Sequence, residues 1–128
     1  MYLVRHAEAE PGNPDELRGL TPHGVKQAKE LGRKFARRGI RPDAVVSSPL
    51  VRARQTAEAI AAAVGASAQT DDRLAPGAGV DELRAVVDCL GETVVIVGHQ
   101  PDCGQIAAAV SGGPEPRVPT AGVCELDL

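Results

Sequence analysis

Apolar and polar positions alternate in blocks that change period along the chain. Tyr2 to Val4 is a short, β-prone run that predicts a first strand, and it ends abruptly on Arg5-His6. From Thr21 the period becomes helical. Val25, Ala28, Leu31 and Phe35 recur on one face, and Lys26, Lys29, Arg33 and Arg37 fall elsewhere. A helix is therefore predicted, capped by Thr21, with Pro22 in its first turn and Gly39 at its end. Ala44 to Ser47 predicts a second strand, and Ser48-Pro49 restarts a helix whose inner face is Ala53, Ala57, Ile60 and Val64. Val80, Leu83, Val87 and Leu90 mark a third helix. Thr93 to Val97, TVVIV, is a strand apolar on both faces, Pro101 opens a fourth helix carrying Ile106 and Val110, and Ala121 to Leu128 reads as a last strand. Pro11 to Arg18 and Gly112 to Pro119 are rich in turn-forming residues and read as loops. There is no internal repeat and no low-complexity tract.

Strands buried on both faces and separated by helices imply a three-layer α/β/α fold around a mostly parallel sheet with right-handed crossovers. The 128 residues suit a single domain spanning 1–128. Only 2% of residues are aromatic, so Val, Leu, Ile and Ala must fill the core.

Charge and cysteine content narrow the functional classes. A net charge of -3 argues against non-specific nucleic-acid binding, which needs a basic face. The longest strongly apolar run, Val94 to Val97, is far too short to span a bilayer, and the apolar start is too short for a secretory signal and is interrupted by Arg5. Cys89, Cys103 and Cys124 form no CxxC pair. They read as small buried hydrophobes in a reducing cytoplasm rather than as a disulfide framework.

In a parallel sheet of this kind, ligands bind beyond the carboxyl ends of the strands. The first strand ends in Arg5-His6. The second runs into SSPLVRARQT, which places Arg52 and Arg54 early in the following helix. TVVIV runs into Gly98-His99-Gln100-Pro101. Parallel strands would bring Arg5, His6, Arg52 and His99 to one edge. Two imidazoles and two guanidiniums suit a compact, multiply charged anion, because arginine forks match phosphate oxygens and helix N-termini add oriented N–H groups. Each residue alone has an ordinary structural reading; a core has no use for several unpaired cations together.

These residues carry a family resemblance. LVRHAEAE resembles the Arg-His signature of the histidine phosphatase, or phosphoglycerate mutase-like, superfamily, and LTPHGVKQA at 20–28, SSPLVRARQTAE at 47–58 and VVIVGHQP at 94–101 follow in matching order and spacing. The compact chain is most similar to the small SixA branch of phosphohistidine phosphatases. The resemblance implies a minimal phosphoglycerate mutase-like fold without lid insertions. His6 would be the nucleophile that takes the phosphoryl group, and Arg5, Arg52 and His99 would hold phosphate. Arg18 would be a further pocket arginine of the small branch, weighed against a solvated loop residue. Arg54, two positions past the motif arginine, is read as a surface residue. Ala7 departs from the Gly common after the nucleophile, a change that could restrict the backbone there.

The chemistry implied is metal-free and cofactor-free phosphoryl transfer. Arginines keep His6 neutral and stabilise the transferring group. Metal ligation by His6, His23 and His99 is disfavoured by the lack of carboxylate or Cys partners at ligand spacing, and His23 is expected to be exposed. No acid maps clearly onto the leaving-group donor found in many relatives; Glu8 and Asp81 are the candidates. The substrate is expected to be a phosphorylated protein bearing phosphohistidine, or a small phosphorylated molecule if the enzyme is a general phosphomonoesterase. A mutase would need a lid that this chain lacks, and a silent phospho-ligand-binding module would not need a nucleophile. Cys-x5-Arg, G-x-S-x-G, G-x-G-x-x-G and P-loop motifs are all absent.

Overall fold

The computed structural model describes residues 1–128. Five strands and four helices alternate: β1 (Tyr2–Arg5), α1 (Pro22–Arg37), β2 (Ala44–Ser47), α2 (Val51–Val64), β3 (Ala68–Thr70), α3 (Val80–Val87), β4 (Val94–Gly98), α4 (Asp102–Ser111) and β5 (Val123–Glu125). The sheet order is β3-β2-β4-β1-β5, with β5 antiparallel to β1 and the other neighbours parallel.

Pleating divides the apolar strands between two cores. Leu3, Val46, Val94 and Ile96 pack on one face with Leu83 and Val86 of α3 and Ile106 of α4. Val4, Val45, Val95 and Val97 point the other way, against Leu31 and Phe35 of α1 and Ala53, Ala57 and Ile60 of α2. That two-sided burial explains why β4 carries no polar residue. It also gives the three-layer α/β/α architecture expected from the sequence.

Local signals fix α1. The Thr21 side chain accepts the Gly24 N–H at 2.8 Å, and Pro22 occupies the first turn. Helices α1 and α2 meet closely at Gly32, where a Cβ would lie 2.8 Å from the Ala63 Cβ and 3.0 Å from the Ala59 carbonyl oxygen. The apolar face differs in one position from the sequence expectation. Val25 is 39% exposed. Gly24 instead faces inward against the Glu8 backbone, which turns its neighbour outward.

Three further expectations are corrected. The strand β3 carries no apolar alternation, since Gln69 and Thr70 are exposed on an edge strand, and it escapes the sequence reading. The last strand is limited to Val123–Glu125. Of the cysteines, only Cys103 is a buried hydrophobe, its thiol pushed up to about 12 by burial; Cys89 is exposed and Cys124 half-buried. No helix is long and apolar enough to cross a membrane.

Candidate active site

The parallel register of β1 and β4 sets Arg5 opposite Gly98, so His6 and His99 leave adjacent strands at the same level. Their ring centroids are 5.3 Å apart and the rings are tilted by 56°. Both side chains line a recess rather than the open surface, with His6 8% and His99 3% exposed.

The surrounding backbone fixes the His6 ring. Its Nδ1 lies 2.7 Å from the Ala7 carbonyl oxygen. A carbonyl only accepts, so Nδ1 carries the ring proton and Nε2 keeps its lone pair. The Ala7 N–H donates to Thr56 Oγ1 at 3.0 Å, and the Thr56 hydroxyl donates to the Arg52 carbonyl at 2.8 Å. Fully buried Thr56 thereby ties the end of β1 to the first turns of α2. Ala7 itself has no positive φ, so its methyl, where relatives commonly carry Gly, creates no backbone strain. On the other flank, the Glu8 carbonyl accepts the Thr21 N–H at 3.0 Å. A Cβ on Gly24 would collide with the Glu8 carbonyl oxygen and lie 2.9 Å from its carbon.

Three arginines surround the imidazoles. Arg5 Nη1 donates to the Val118 carbonyl at 3.1 Å, while its Nε is buried without a partner. Arg52 is 6% exposed, and its Nη1 and Nη2 donate to the Asp15 backbone oxygen at 2.9 Å and to Asp15 Oδ2 at 3.1 Å. Arg18 donates from Nε to the Glu10 carbonyl at 2.6 Å and from Nη1 to Asp15 Oδ1 at 2.8 Å. Arg54 is exposed, as expected from the helix face. His99 Nε2 is 2.7 Å from Ser48 Oγ, and His99 Nδ1 is buried without a partner. Buried donors and acceptors are nearly always paired, so these two nitrogens are free to bond a bound group.

The electrostatics follow from this packing. Burial is the main force lowering the His6 pKa to about 4; the Ala7 carbonyl opposes it, and Arg52, Arg5 and Arg18 add to it. His99 is likewise lowered to about 4, first by burial and then by His6 and Arg52. Near neutral pH the recess therefore holds two neutral imidazoles and a concentration of guanidinium charge. Such a site can bind a tetrahedral anion and offer it an unprotonated ring nitrogen.

All five residues singled out from the sequence, Arg5, His6, Arg18, Arg52 and His99, gather at this edge. The proposed acids do not fit as well. The Glu8 carboxylate accepts the Thr21 hydroxyl at 3.1 Å and faces His23 at 3.9 Å, and Asp81 sits exposed in the first turn of α3. Sequence reading missed Asp15, Ser48 and Thr56. Ser48 and Thr56 lie inside the quoted motif SSPLVRARQTAE and could have been found there. Asp15 sits in an irregular loop with no periodic signal.

A mostly parallel α/β/α sheet whose carboxyl edge holds paired imidazoles ringed by arginines defines an anion-handling site of the phosphoryl-transfer class. The chain belongs to the histidine phosphatase superfamily (branch 1), whose sequence pattern it matches over residues 1–76. Within the family it falls with the small SixA-type proteins. It superposes with a TM-score of 0.80 and 30% identity on a protein of Agrobacterium tumefaciens designated "putative phosphohistidine phosphatase SixA", over 95% of this chain and 86% of that one. It is 34% identical over 121 residues to an uncharacterized protein of Picosynechococcus sp., covering 88% of this chain and 73% of that protein. It is 35% identical over 125 residues to a protein of Klebsiella pneumoniae designated "probable phosphoglycerate mutase GpmB". That match takes in 93% of this chain but spans only 53% of GpmB.

Proposed function

We propose that the chain is a single-domain, metal-independent phosphatase that acts through a phosphohistidine on His6 and favours phosphohistidine in proteins as its substrate. The observation that carries this reading is the His6 ring itself, held with Nδ1–H on the Ala7 carbonyl and Nε2 unprotonated beside three arginines.

In the first step His6 Nε2 attacks phosphorus in line, the P–N bond to the substrate imidazole breaks, and that imidazole departs neutral because its other nitrogen already carries a proton. Arg5, Arg52 and Arg18 neutralise charge on the equatorial oxygens. With the Ser48 hydroxyl donating to His99 Nε2, the ring proton of His99 sits on Nδ1 and serves a phosphoryl oxygen. In the second step water attacks phosphorus, the P–Nε2 bond breaks, and both water protons leave on dihydrogen phosphate, which returns His6 to its neutral form.

Substrate preference follows from the acids. An alkoxide needs protonation to leave, and a neutral imidazole does not. Asp15, the carboxylate nearest the arginines, is held below the usual carboxylate range by hydrogen bonds from Arg18 and Arg52 and is a poor proton donor at neutral pH. Glu8 is engaged at the cap of α1. Positive charge comes from side chains, and no cluster of three His, Cys, Asp or Glu side chains is grouped as metal ligands. A hollow of about 500 Å³ beside Arg5, lined by Gln100, Arg117, Val118 and Pro119, gives a protein-borne group room to approach. Three unpaired cysteines suit a reducing cytoplasm.

The test is mass spectrometry of protein quenched during turnover, with phosphate expected on His6 and absent in His6→Ala. A parallel panel compares kcat/KM for phosphohistidine, a phosphoramidate, and aryl and alkyl phosphates. Phosphohistidine or the phosphoramidate should lead, with aryl phosphates intermediate. Alkyl esters cleaved as fast as phosphohistidine would put the general phosphomonoesterase first.

A further inference from the structure

Arg18 and Arg52 come from different parts of the chain, and one residue links them. Asp15 opens a single 3-10 turn, Asp15–Leu17, that follows Pro14. Its carboxylate is split, with Oδ1 on Arg18 Nη1 at 2.8 Å and Oδ2 on Arg52 Nη2 at 3.1 Å. Its backbone oxygen accepts both the Arg18 N–H that closes the turn, at 3.1 Å, and Arg52 Nη1, at 2.9 Å. Two nitrogens of the Arg52 fork are therefore fixed by one residue, which sets the plane of the guanidinium.

Without this residue the arrangement would be unstable as a catalytic device. Arg52 is almost fully buried, and Asp15 is the only carboxylate paired with it. Arg5, Arg18 and Arg52 all act on the same imidazole, so their like charges also repel one another. Long arginine side chains have the rotamer freedom to move apart. The cost of an anchor in donors is small. A guanidinium has five N–H donors; Arg52 spends one Nη contact on the carboxylate and one on the turn, which leaves Nε and the remaining Nη hydrogens for a ligand.

We infer that Asp15 is a positioning residue: its carboxylate holds the guanidiniums of Arg18 and Arg52 in the orientation that receives the phosphoryl group. This rests on the phosphatase reading above. Asp15 does not serve as the acid, since the same two arginines stabilise its charged form. Its side chain is 57% exposed, so its removal opens no cavity in the core. The alternative is that the carboxylate merely competes with phosphate for the arginines, and that alternative predicts the opposite sign.

The experiment measures tungstate binding by calorimetry, without reference to turnover, in wild type, Asp15→Ala, Asp15→Asn, Arg18→Ala and the Asp15→Ala/Arg18→Ala double variant. Thermal melting of each is followed in parallel. Loss of charge-assisted hydrogen bonds of this kind should weaken tungstate binding by Asp15→Ala about tenfold. The melting temperature should barely move, and Asp15→Asn should recover part of the affinity because its amide oxygen still accepts from one arginine. In the Arg18→Ala background the effect of Asp15→Ala should shrink, since the two act through a shared contact. Tungstate bound by Asp15→Ala as tightly as by wild type, or more tightly, overturns the inference, as does full additivity with Arg18→Ala. Wild type that fails to bind tungstate defeats the phosphatase reading first, and this inference falls with it.

Discussion

Lowering the pH from 7 to 5 should destabilise the fold through two buried imidazoles. His6 and His99 are both lowered from 6.5 to about 4 in the folded protein. Between those values the unfolded chain binds protons that the folded chain refuses, so stability rises with pH across the window and is lost as the pH falls. At pH 5 an unfolded imidazole with its ordinary pKa gains about 2 kcal/mol from protonation, and a folded one with a pKa near 4 gains almost nothing. The pair should thus remove about 4 kcal/mol, a large share of the 5–15 kcal/mol typical of a domain. The depressed carboxylates Asp15, Glu30 and Asp71 titrate below this window and do not confuse it. The assay is urea denaturation at pH 7 and pH 5 for wild type, His6→Asn and His99→Asn, with NMR titration of the imidazole C–H resonances. Each variant should lose about 2 kcal/mol less than wild type across the window. Resonances that titrate near 6.5, or variants that lose as much as wild type, would refute the claim that burial and the arginines hold both rings neutral. By the same reasoning the acid limb of kcat/KM should lie well below pH 6.5.

Arg52→Ala should lower kcat/KM by about a hundredfold or more, as does loss of a preorganised oxyanion donor. Exposed Arg54→Ala should change it by less than about twofold, consistent with surface substitutions away from any site; steady-state kinetics on one substrate decides both. Gly24→Ala drives a methyl into the Glu8 backbone two residues from His6. It should destabilise the protein by about 1–3 kcal/mol and lower kcat, read by denaturation and kinetics together. Activity should survive EDTA, and tungstate or phosphate should inhibit competitively. Loss on chelation that is restored by a divalent metal would contradict a pocket whose charge comes from arginines.

The layered architecture was legible because the middle residues of β1, β2 and β4 are buried on both faces and α1 carries a side-chain cap and a first-turn proline. TVVIV can be little else than a central strand, and Thr21-Pro22 announces α1. The sequence was silent where burial is weak. In β3 most side chains are exposed, so no apolar period marks it, and β5, read over Ala121 to Leu128, is confined to Val123–Glu125, where most side chains are exposed. Val25 was misassigned for a related reason. Helical spacing alone cannot tell Val25 from Gly24 as the inward residue, because the face there is set by the backbone of Glu8, more than a dozen positions away.

The candidate site divides in the same way. Arg5, His6, Arg52 and His99 could be gathered from sequence because strand ends in a parallel sheet share one edge, and the register of β1 with β4 then brings the two rings into contact. Asp15 obeyed no such rule. It lies in a loop whose composition signals only a turn, and its partner Arg52 is 37 residues away. Its role depends on where a 3-10 turn lands against α2, which is a tertiary fact. The carboxylate also shows why charge counting along the chain was insufficient. A cluster of arginines suggests an absent anion, and part of the answer is an anion the chain supplies itself. What remains unsatisfied is more specific: the buried Nε of Arg5 and the buried Nδ1 of His99. Neither atom is hydrogen-bonded by Asp15, whose contacts go to Arg18 and Arg52. A tethered carboxylate that steadies two arginines, next to two orphaned nitrogens that it does not reach, separates the scaffold of the site from the place left for its ligand.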